Sequence, residues 1–303
     1  MMELTEFQCK IQTLSGDIVL RLNEPMFKHT SFRIGGPAEV MAFPKNTEEL
    51  TELLKMSTLL DCKLSILGAG TNVLAPDEGV SGLVICLKDC MDGMELLDSD
   101  RIRVFAGVTM TRAAVFAAQH GLSGLEFAHG IPGSVGGGVY MNAGAYGGEI
   151  SQVCESVDVM WPDGRVETVA AEDMDFSYRH SRLEDMDGII ISAIFRLIPK
   201  PVDEIRGKMQ ELMKRRSASQ PLDMPSAGSA FKRPEKGYAA AMIDDAGLKG
   251  YRVGNAAISE KHAGFAVNLG GATAGDVRKL LSDVSDMVFE KTGIRLDPEV
   301  RIW

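Results

Sequence analysis

The sequence predicts an α+β protein in which a larger β-rich region, reaching to about residue 200, precedes a smaller C-terminal α/β domain. Three observations carry that reading. Short apolar stretches of strand length recur among helical ones as far as Leu197. Pro199-Lys200-Pro201 then interrupts both patterns, and a long helical stretch opens directly after it.

The elements follow in chain order. Thr47–Thr58 (TEELTELLKMST) reads as an amphipathic helix with Glu48 and Glu49 near its positive end; its capping box is imperfect, because Leu50 stands where Glu or Gln would complete it. Leu64–Leu67 is a short apolar strand running into Gly68-Ala69-Gly70-Thr71-Asn72, and Leu83–Leu87 is a second strand. Arg101–Ala106 alternates polar and apolar side chains as a half-exposed strand does, and Thr111–His120 is helical up to a stop at Gly121. Ser156–Trp161, Arg165–Val169 and Ile189–Leu197 read as strands. The first two are joined by Pro162-Asp163-Gly164, where Pro sets φ and Gly admits positive φ. Beyond the proline boundary come a helix over Val202–Ala218, a mixed segment, and a helix over Gly275–Thr292.

Composition narrows the function classes. A chain of 303 residues with 45% hydrophobic and 24% charged residues is ordinary for a globular protein of two or three domains. A net charge of −10 argues against a nucleic-acid partner, since phosphate backbones are met by clustered Lys and Arg, although a small anion needs only local positive charge. The five cysteines are odd in number and contain no CxxC pair. Cys86 and Cys90 alone are too few for a metal site, so reduced structural thiols and no metal are expected. MMELTEFQCK lacks a signal-peptide apolar run, and no stretch approaches about 18 apolar residues, so a cytoplasmic protein without a membrane partner is expected.

The glycines are the local signal. The 32 of them are roughly a tenth of the chain, above the usual share of about 7%, and eight of the nineteen residues from Gly130 to Gly148 are glycine. Glycine lets the backbone approach a ligand closely, and successive inward N–H groups make a concavity for an anion such as a pyrophosphate. Gly68–Asn72 follows a strand but lacks a third fingerprint glycine, because position 73 is Val; no GxxxxGK[ST] exists either. Neither a Rossmann site nor a P-loop is supported. Taken alone, the shorter loop is equally consistent with turns. The longer one, with Gly130-Ile131-Pro132-Gly133-Ser134-Val135-Gly136-Gly137-Gly138 and then Asn142-Ala143-Gly144, points to close backbone contact with an anionic cofactor.

At these residues a family resemblance enters. Thr30–Ala38 (TSFRIGGPA), Gly68–Asn72, Gly130–Gly148, Tyr178-Arg179-His180-Ser181, Ser226–Lys232 (SAGSAFK), Ser259–Phe265 (SEKHAGF) and Pro298-Glu299-Val300-Arg301 occur in one order along nearly the whole chain. Together they resemble UDP-N-acetylenolpyruvoylglucosamine reductase, also called UDP-N-acetylmuramate dehydrogenase, in its shorter type without an extra substrate-capping loop. The resemblance implies a two-part FAD-binding domain of the vanillyl-alcohol oxidase type (1–88 and 89–200) followed by an α/β substrate-binding domain (201–303). It implies noncovalent FAD, NADPH as hydride donor, and reduction of the enolpyruvyl ether of a UDP-sugar to UDP-N-acetylmuramate for peptidoglycan.

Residue roles come from the same source. Hydride addition at C3 of the enolpyruvyl group drives charge onto C2 and its carboxylate, and this enediolate needs stabilisation and then a proton. The family assigns stabilisation to Arg179 and Glu299 and proton donation at C2 to Ser229; because a bare carboxylate would repel the enediolate, Glu299 is expected to act protonated or through a shared proton, and no GxSxG elbow suggests a hydrolase instead. FAD would be held by Gly68, Ala69, Gly70, Thr71, Asn72 and Val73, and by Gly130, Ile131, Pro132, Gly133, Ser134, Gly136, Gly137, Asn142, Ala143 and Gly144. Tyr178 would contact the substrate. Lys232 and Arg233 offer charge for its diphosphate, or are simply exposed bases before Pro234. His129 departs from the small or apolar residue expected before Gly130, and His262 reads as a packed or capping histidine.

Overall fold

A computed structural model of the chain describes residues 5–88 and 90–303. The leader-free reading of the N-terminus, which leans on Met1–Leu4, and the expected boundary at residue 89 touch positions outside the described residues. The chain divides into two compact units, neither continuous in sequence. One contains the described part of Met1–Leu22 with Val40–Ala69 and Gly82–Arg215; the other contains Asn23–Glu39, Gly70–Ser81 and Arg216–Trp303.

The first unit is built on two sheets. In one, Leu64–Leu67 runs parallel to Val80–Cys86, with Leu64 opposite Leu83 and Leu67 opposite Cys86, and Pro37–Phe43 and Val19–Pro25 continue the sheet on the far side. The helix Thr47–Leu59 buries Leu50, Leu53 and Leu54 in a cluster that includes Val40, Ala42, Leu83 and Ile85. Its cap is Asn46, whose side chain accepts from the Glu49 N–H at 2.8 Å, so the cap lies one residue before Thr47, where the sequence signal placed it, and the helix itself begins at Thr47.

The other sheet is antiparallel, in the order Val166–Ala170, Cys154–Met160, Ile189–Arg196, Arg101–Phe105, Met94–Leu96. Burial follows position in the sheet. Ile189–Arg196, near the middle, is buried along almost its whole length, whereas Arg101–Phe105 buries only Ile102 and Val104 and keeps the alternation seen in sequence. The helix Met110–Gln119 starts at its Thr109 cap and contributes Met110, Ala113, Ala114, Ala117 and Ala118 to the same core; Gly121 follows it at φ +68°.

In the second unit, Ser226–Ser229, Phe265–Asn268, Ala256–Ile258 and Arg252–Val253 form an antiparallel sheet. The helix Ala274–Thr292 supplies Val277, Leu280, Leu281, Val284 and Val288 to a core shared with Ala256, Ile258 and Ala266, and with Phe32, Ile34 and Leu74 from the two earlier segments. Its N-terminal N–H groups are met by the Asp77 carboxylate, which accepts from Ala274 at 2.7 Å and Gly275 at 3.1 Å. A negative group there also suits the helix dipole. The sequence reading did not anticipate Val19–Pro25, Pro37–Phe43 or the individual strands of this small sheet. Among the described residues no helix is long and apolar enough to cross a membrane.

Two glycines of the first unit give opposite expectations. Gly82 has φ +80° inside a strand, and a Cβ there would collide with the Lys63 carbonyl oxygen, whereas Gly207 lies in the helix Val202–Ser219 with open space where its Cβ would be. Gly82→Ala should cost about 2 kcal/mol or more, lowering the thermal midpoint by roughly 4 °C or more. Gly207→Ala should stabilise by up to about 1 kcal/mol. Equal midpoints for the two variants would contradict the packing described.

Candidate functional site

The expected loop from Gly130 to Gly148 is not continuous. Ser134, almost wholly buried, caps a six-residue helix over Val135–Tyr140, its hydroxyl accepting from the Gly137 N–H at 3.4 Å. Downstream, Gly144–Ala145 pairs with Gly148–Glu149 around Tyr146 and Gly147, both at positive φ. Backbone bonds from Met110 N to Gly133 O, Val135 N to Val108 O and Gly136 N to Ala106 O lay this helix directly on the core of the first unit. Close packing explains several glycines. A Cβ at Gly136 would stand 2.9 Å from the Ala106 methyl, one at Gly138 2.7 Å from the Met110 sulfur, and one at Gly148 2.6 Å from the Phe127 ring.

Gly137 has no such reason. It is exposed, and a Cβ there would meet only the Ser134 hydroxyl, at 3.4 Å. A helix-interior glycine costs about 1 kcal/mol relative to Ala, so a bare position with room for a side chain suits a ligand that must lie against the backbone. Gly68 belongs to the same place: its Cβ would stand 2.5 Å from the Ser134 hydroxyl oxygen. Gly68, Ser134 and Gly137, distant in sequence, are therefore neighbours. These residues fit a flavin dinucleotide, whose pyrophosphate is met by backbone N–H groups and whose rings need unobstructed backbone. Gly70, Thr71, Asn72 and Val73 stand in the second unit, where a Cβ at Gly70 would strike the His29 carbonyl oxygen.

Arg179 is held in a tight turn. Ser177 and His180 exchange both backbone bonds, at 3.2 Å each, and Arg179 adopts φ +57° between them. Three polar bonds fasten the turn: Asn142 Nδ2 donates to the Ser177 carbonyl at 3.0 Å, Arg179 Nη2 to the Gly144 carbonyl at 3.3 Å, and Ser181 Oγ to the Tyr140 carbonyl at 2.8 Å. The Arg179 guanidinium also lies 4.9 Å from the centre of the exposed Tyr178 ring. Asn142 is fully buried and itself at φ +41°; its Oδ1 accepts from the Ser151 N–H at 2.9 Å. Its amide is thus spent on neighbouring protein groups, a use that its place in the glycine-rich motif did not reveal.

In the second unit, the Glu299 backbone meets the strand end that carries Ser229. A register shift at Gly228, φ +77°, precedes Ser229, which is exposed and whose hydroxyl forms no hydrogen bond with the described residues. The segment beyond it is laced to the C-terminus: Glu299 N donates to Ala230 O at 3.0 Å, Lys232 N to Asp297 O at 2.8 Å, and Phe231 bridges Pro298. Asn72 Nδ2 donates to the Glu299 carbonyl at 3.1 Å, and Arg301–Ile302 pairs in parallel with Val73–Leu74, so the chain end is firmly docked. Lys232 is half-buried, whereas Arg233 is exposed with its guanidinium 4.1 Å from the Tyr238 ring centre. Ser31, inside the first quoted motif, ties this region together by donating to the Ser226 carbonyl at 2.6 Å. His262 is a packed capping residue: its Nδ1 accepts from Gly264 N at 3.1 Å, its ring meets Phe265 edge-on, and burial pushes its pKa down.

Comparison with known proteins agrees with this geometry. The signature of the FAD binding domain matches residues 38–170, and that of the UDP-N-acetylenolpyruvoylglucosamine reductase C-terminal domain matches residues 220–303. The UDP-N-acetylenolpyruvoylglucosamine reductase of Agathobacter rectalis is 46% identical over 291 residues, covering 92% of each chain. That of Caldanaerobacter subterraneus subsp. tengcongensis is 43% identical, covering 97% of this chain and 96% of its own. The crystal structure of the Thermus caldophilus enzyme of the same name superposes with a TM-score of 0.79 at 36% identity, covering 94% of this chain and 98% of that one. By sequence, by fold and by the glycine-lined surface that suits a flavin, the chain belongs to the UDP-N-acetylenolpyruvoylglucosamine reductase family and is an FAD-dependent oxidoreductase.

Proposed function

We propose that the chain reduces the enolpyruvyl ether of UDP-N-acetylglucosamine to UDP-N-acetylmuramate, with NADPH as hydride donor, in the cytoplasmic synthesis of peptidoglycan precursors. The observation that supports the reading is the lacing of Ala230–Lys232 to Asp297–Glu299, which brings the Glu299 backbone to Ala230, the residue after Ser229. FAD, when bound, supplies the carrier through which a hydride passes from the nicotinamide to C3 of the enolpyruvyl group.

The protein's own groups do the rest. Arg179, kept in place by the Gly144 carbonyl and the Tyr178 ring, presents a planar guanidinium to the substrate carboxylate and stabilises the charge that develops there. Ser229 gives its hydroxyl proton to C2; a hydroxyl is a weak acid, but the carbanion-like C2 is a strong base. Glu299 partners Arg179 in meeting the charge that develops on the substrate. Tyr178 contacts the substrate, and Lys232 and Arg233 meet its diphosphate.

Three measurements test the reading. Purified protein should be yellow, release its FAD on denaturation, and oxidise NADPH rapidly only with the enolpyruvyl UDP-sugar present. A colourless protein would overturn it, and fast reaction of the reduced enzyme with oxygen would favour an oxidase of the same fold. In stopped-flow absorbance, Ser229→Ala should leave reduction by NADPH intact and slow reoxidation by the enolpyruvyl substrate by about 100-fold or more; equal loss of both half-reactions would refute the proton-donor role. Asn142→Ala should cost about 1–3 kcal/mol of stability by leaving the Ser151 N–H without its acceptor and taking one of two donors from the Ser177 carbonyl. It should also lower kcat with the enolpyruvyl substrate while KM for NADPH stays near the wild-type value, because the Arg179 turn loses its anchor.

A further inference from the structure

We propose that Ser31 is a positioning residue for proton transfer at C2: its hydroxyl fixes the strand that carries Ser229 and acts only through that residue. This rests on the reading of Ser229 as the proton donor. Ser31 belongs to the motif Thr30–Ala38, to which the reaction described above gives no role. The motif is a rigid support. Thr30, itself buried, donates from Oγ1 to the Ile34 carbonyl at 2.9 Å and accepts from the Ile34 N–H at 3.3 Å. Phe32 is fully buried, and its carbonyl accepts from Asn268 Nδ2 at 3.0 Å. Ser31 stands half-buried between these anchors and bonds in two directions. Its N–H donates to the Gly70 carbonyl at 3.0 Å, and its hydroxyl donates to the Ser226 carbonyl at 2.6 Å.

The hydroxyl bond falls where the strand needs it. Ser226–Ser229 lies at the edge of its sheet, beside Phe265–Asn268. The Pro225 carbonyl accepts from Asn268 N at 2.9 Å on the sheet side. Backbone groups alternate along a strand, so the Ser226 carbonyl turns outward, where an edge strand leaves it without a ladder partner. Ser31 supplies that partner. Farther along, Ala230 N donates to the Gly264 carbonyl at 2.8 Å. Between these ties the register shifts, and Gly228, at φ +77° with open space where a Cβ would be, brings no side-chain packing to steady Ser229. Ser229 is exposed and its hydroxyl forms no hydrogen bond with the described residues, so the backbone sets where it points. The Ser31 hydrogen is spent on the Ser226 carbonyl, and Ser31 therefore bears on the reaction through placement. Misplacement of a reacting group by about 1 Å is enough to cost on the order of 100-fold in rate.

The test uses Ser31→Ala, which removes the hydroxyl and keeps the N–H bond to Gly70. Stopped-flow absorbance on the FAD-loaded full-length chain reads the two half-reactions separately. Flavin reduction by NADPH should stay within about twofold of wild type, while reoxidation by the enolpyruvyl UDP-sugar should slow about tenfold. Ser31→Ala combined with Ser229→Ala should reoxidise no more slowly than Ser229→Ala alone, because a residue that acts only through Ser229 then has nothing left to position. A merely structural hydroxyl would slow both half-reactions equally or add its loss to that of Ser229→Ala, and either result overturns the proposal. If the alanine chain does not retain FAD, Ser31→Cys, similar in shape and a weaker donor, should show the same selective slowing; loss of FAD there as well overturns the proposal. Ser229→Ala separates this from the reading beneath it. Wild-type reoxidation in that variant sinks the proton-donor reading, and with it this proposal. Slow reoxidation in Ser229→Ala with wild-type reoxidation in Ser31→Ala sinks the positioning role alone.

Discussion

The buried amide of Asn142 is the interaction on which the first unit's functional surface depends. It receives the Ser151 N–H, gives a hydrogen to the Ser177 carbonyl, and sits fully out of solvent at a positive φ. An unmade bond at such a depth is expensive, so the three segments it joins are fixed together or not at all. Arg179 inherits that rigidity, since its own left-handed conformation is stable only inside the closed Ser177–His180 turn.

The glycines act in two distinct ways. Gly136, Gly138 and Gly148 are small because protein atoms occupy the space where a side chain would be, and this lets the short helix lie against Ala106, Met110 and Phe127. Gly137 is bare on its outer side. The packing glycines hold the backbone in position, and the exposed one leaves that backbone uncovered. A short helix with three consecutive glycines is weak by intrinsic propensity and survives here through its Ser134 cap and its bonds to the core.

The second unit solves a different problem, that of gathering a site from distant pieces of chain. Phe32 and Ile34 enter its core, Asp77 caps its long helix, and Asn72 holds the Glu299 backbone. Backbone bonds then carry the placement of Glu299 against Ala230, the residue after Ser229. The family motif at Thr30–Ala38 gains a physical reason in the same way: Ser31 binds Gly70 and Ser226, and Gly36 lies so close to Asp77 that no Cβ would fit.

Much of this was legible in sequence. Helices such as Thr47–Leu59 and strands such as Leu64–Leu67 and Arg101–Phe105 are determined by local periodicity, and the order of the motifs was enough to identify the family. Even there the cap fell on Asn46, because the capping residue lies just outside the periodic stretch. The short, alanine-rich strand Ala256–Ile258 carried no pattern of its own, since its burial comes from the helix and sheet around it. Periodicity and composition by themselves determined the α+β layout and marked the glycine-rich stretch as a ligand surface, while the family resemblance supplied the candidate residues for chemistry. Only the tertiary structure decided which glycines serve packing and which stay open. It alone brought the Glu299 N–H to the Ala230 carbonyl, one residue after Ser229, because that depends on groups far apart in the chain meeting at hydrogen-bond distance.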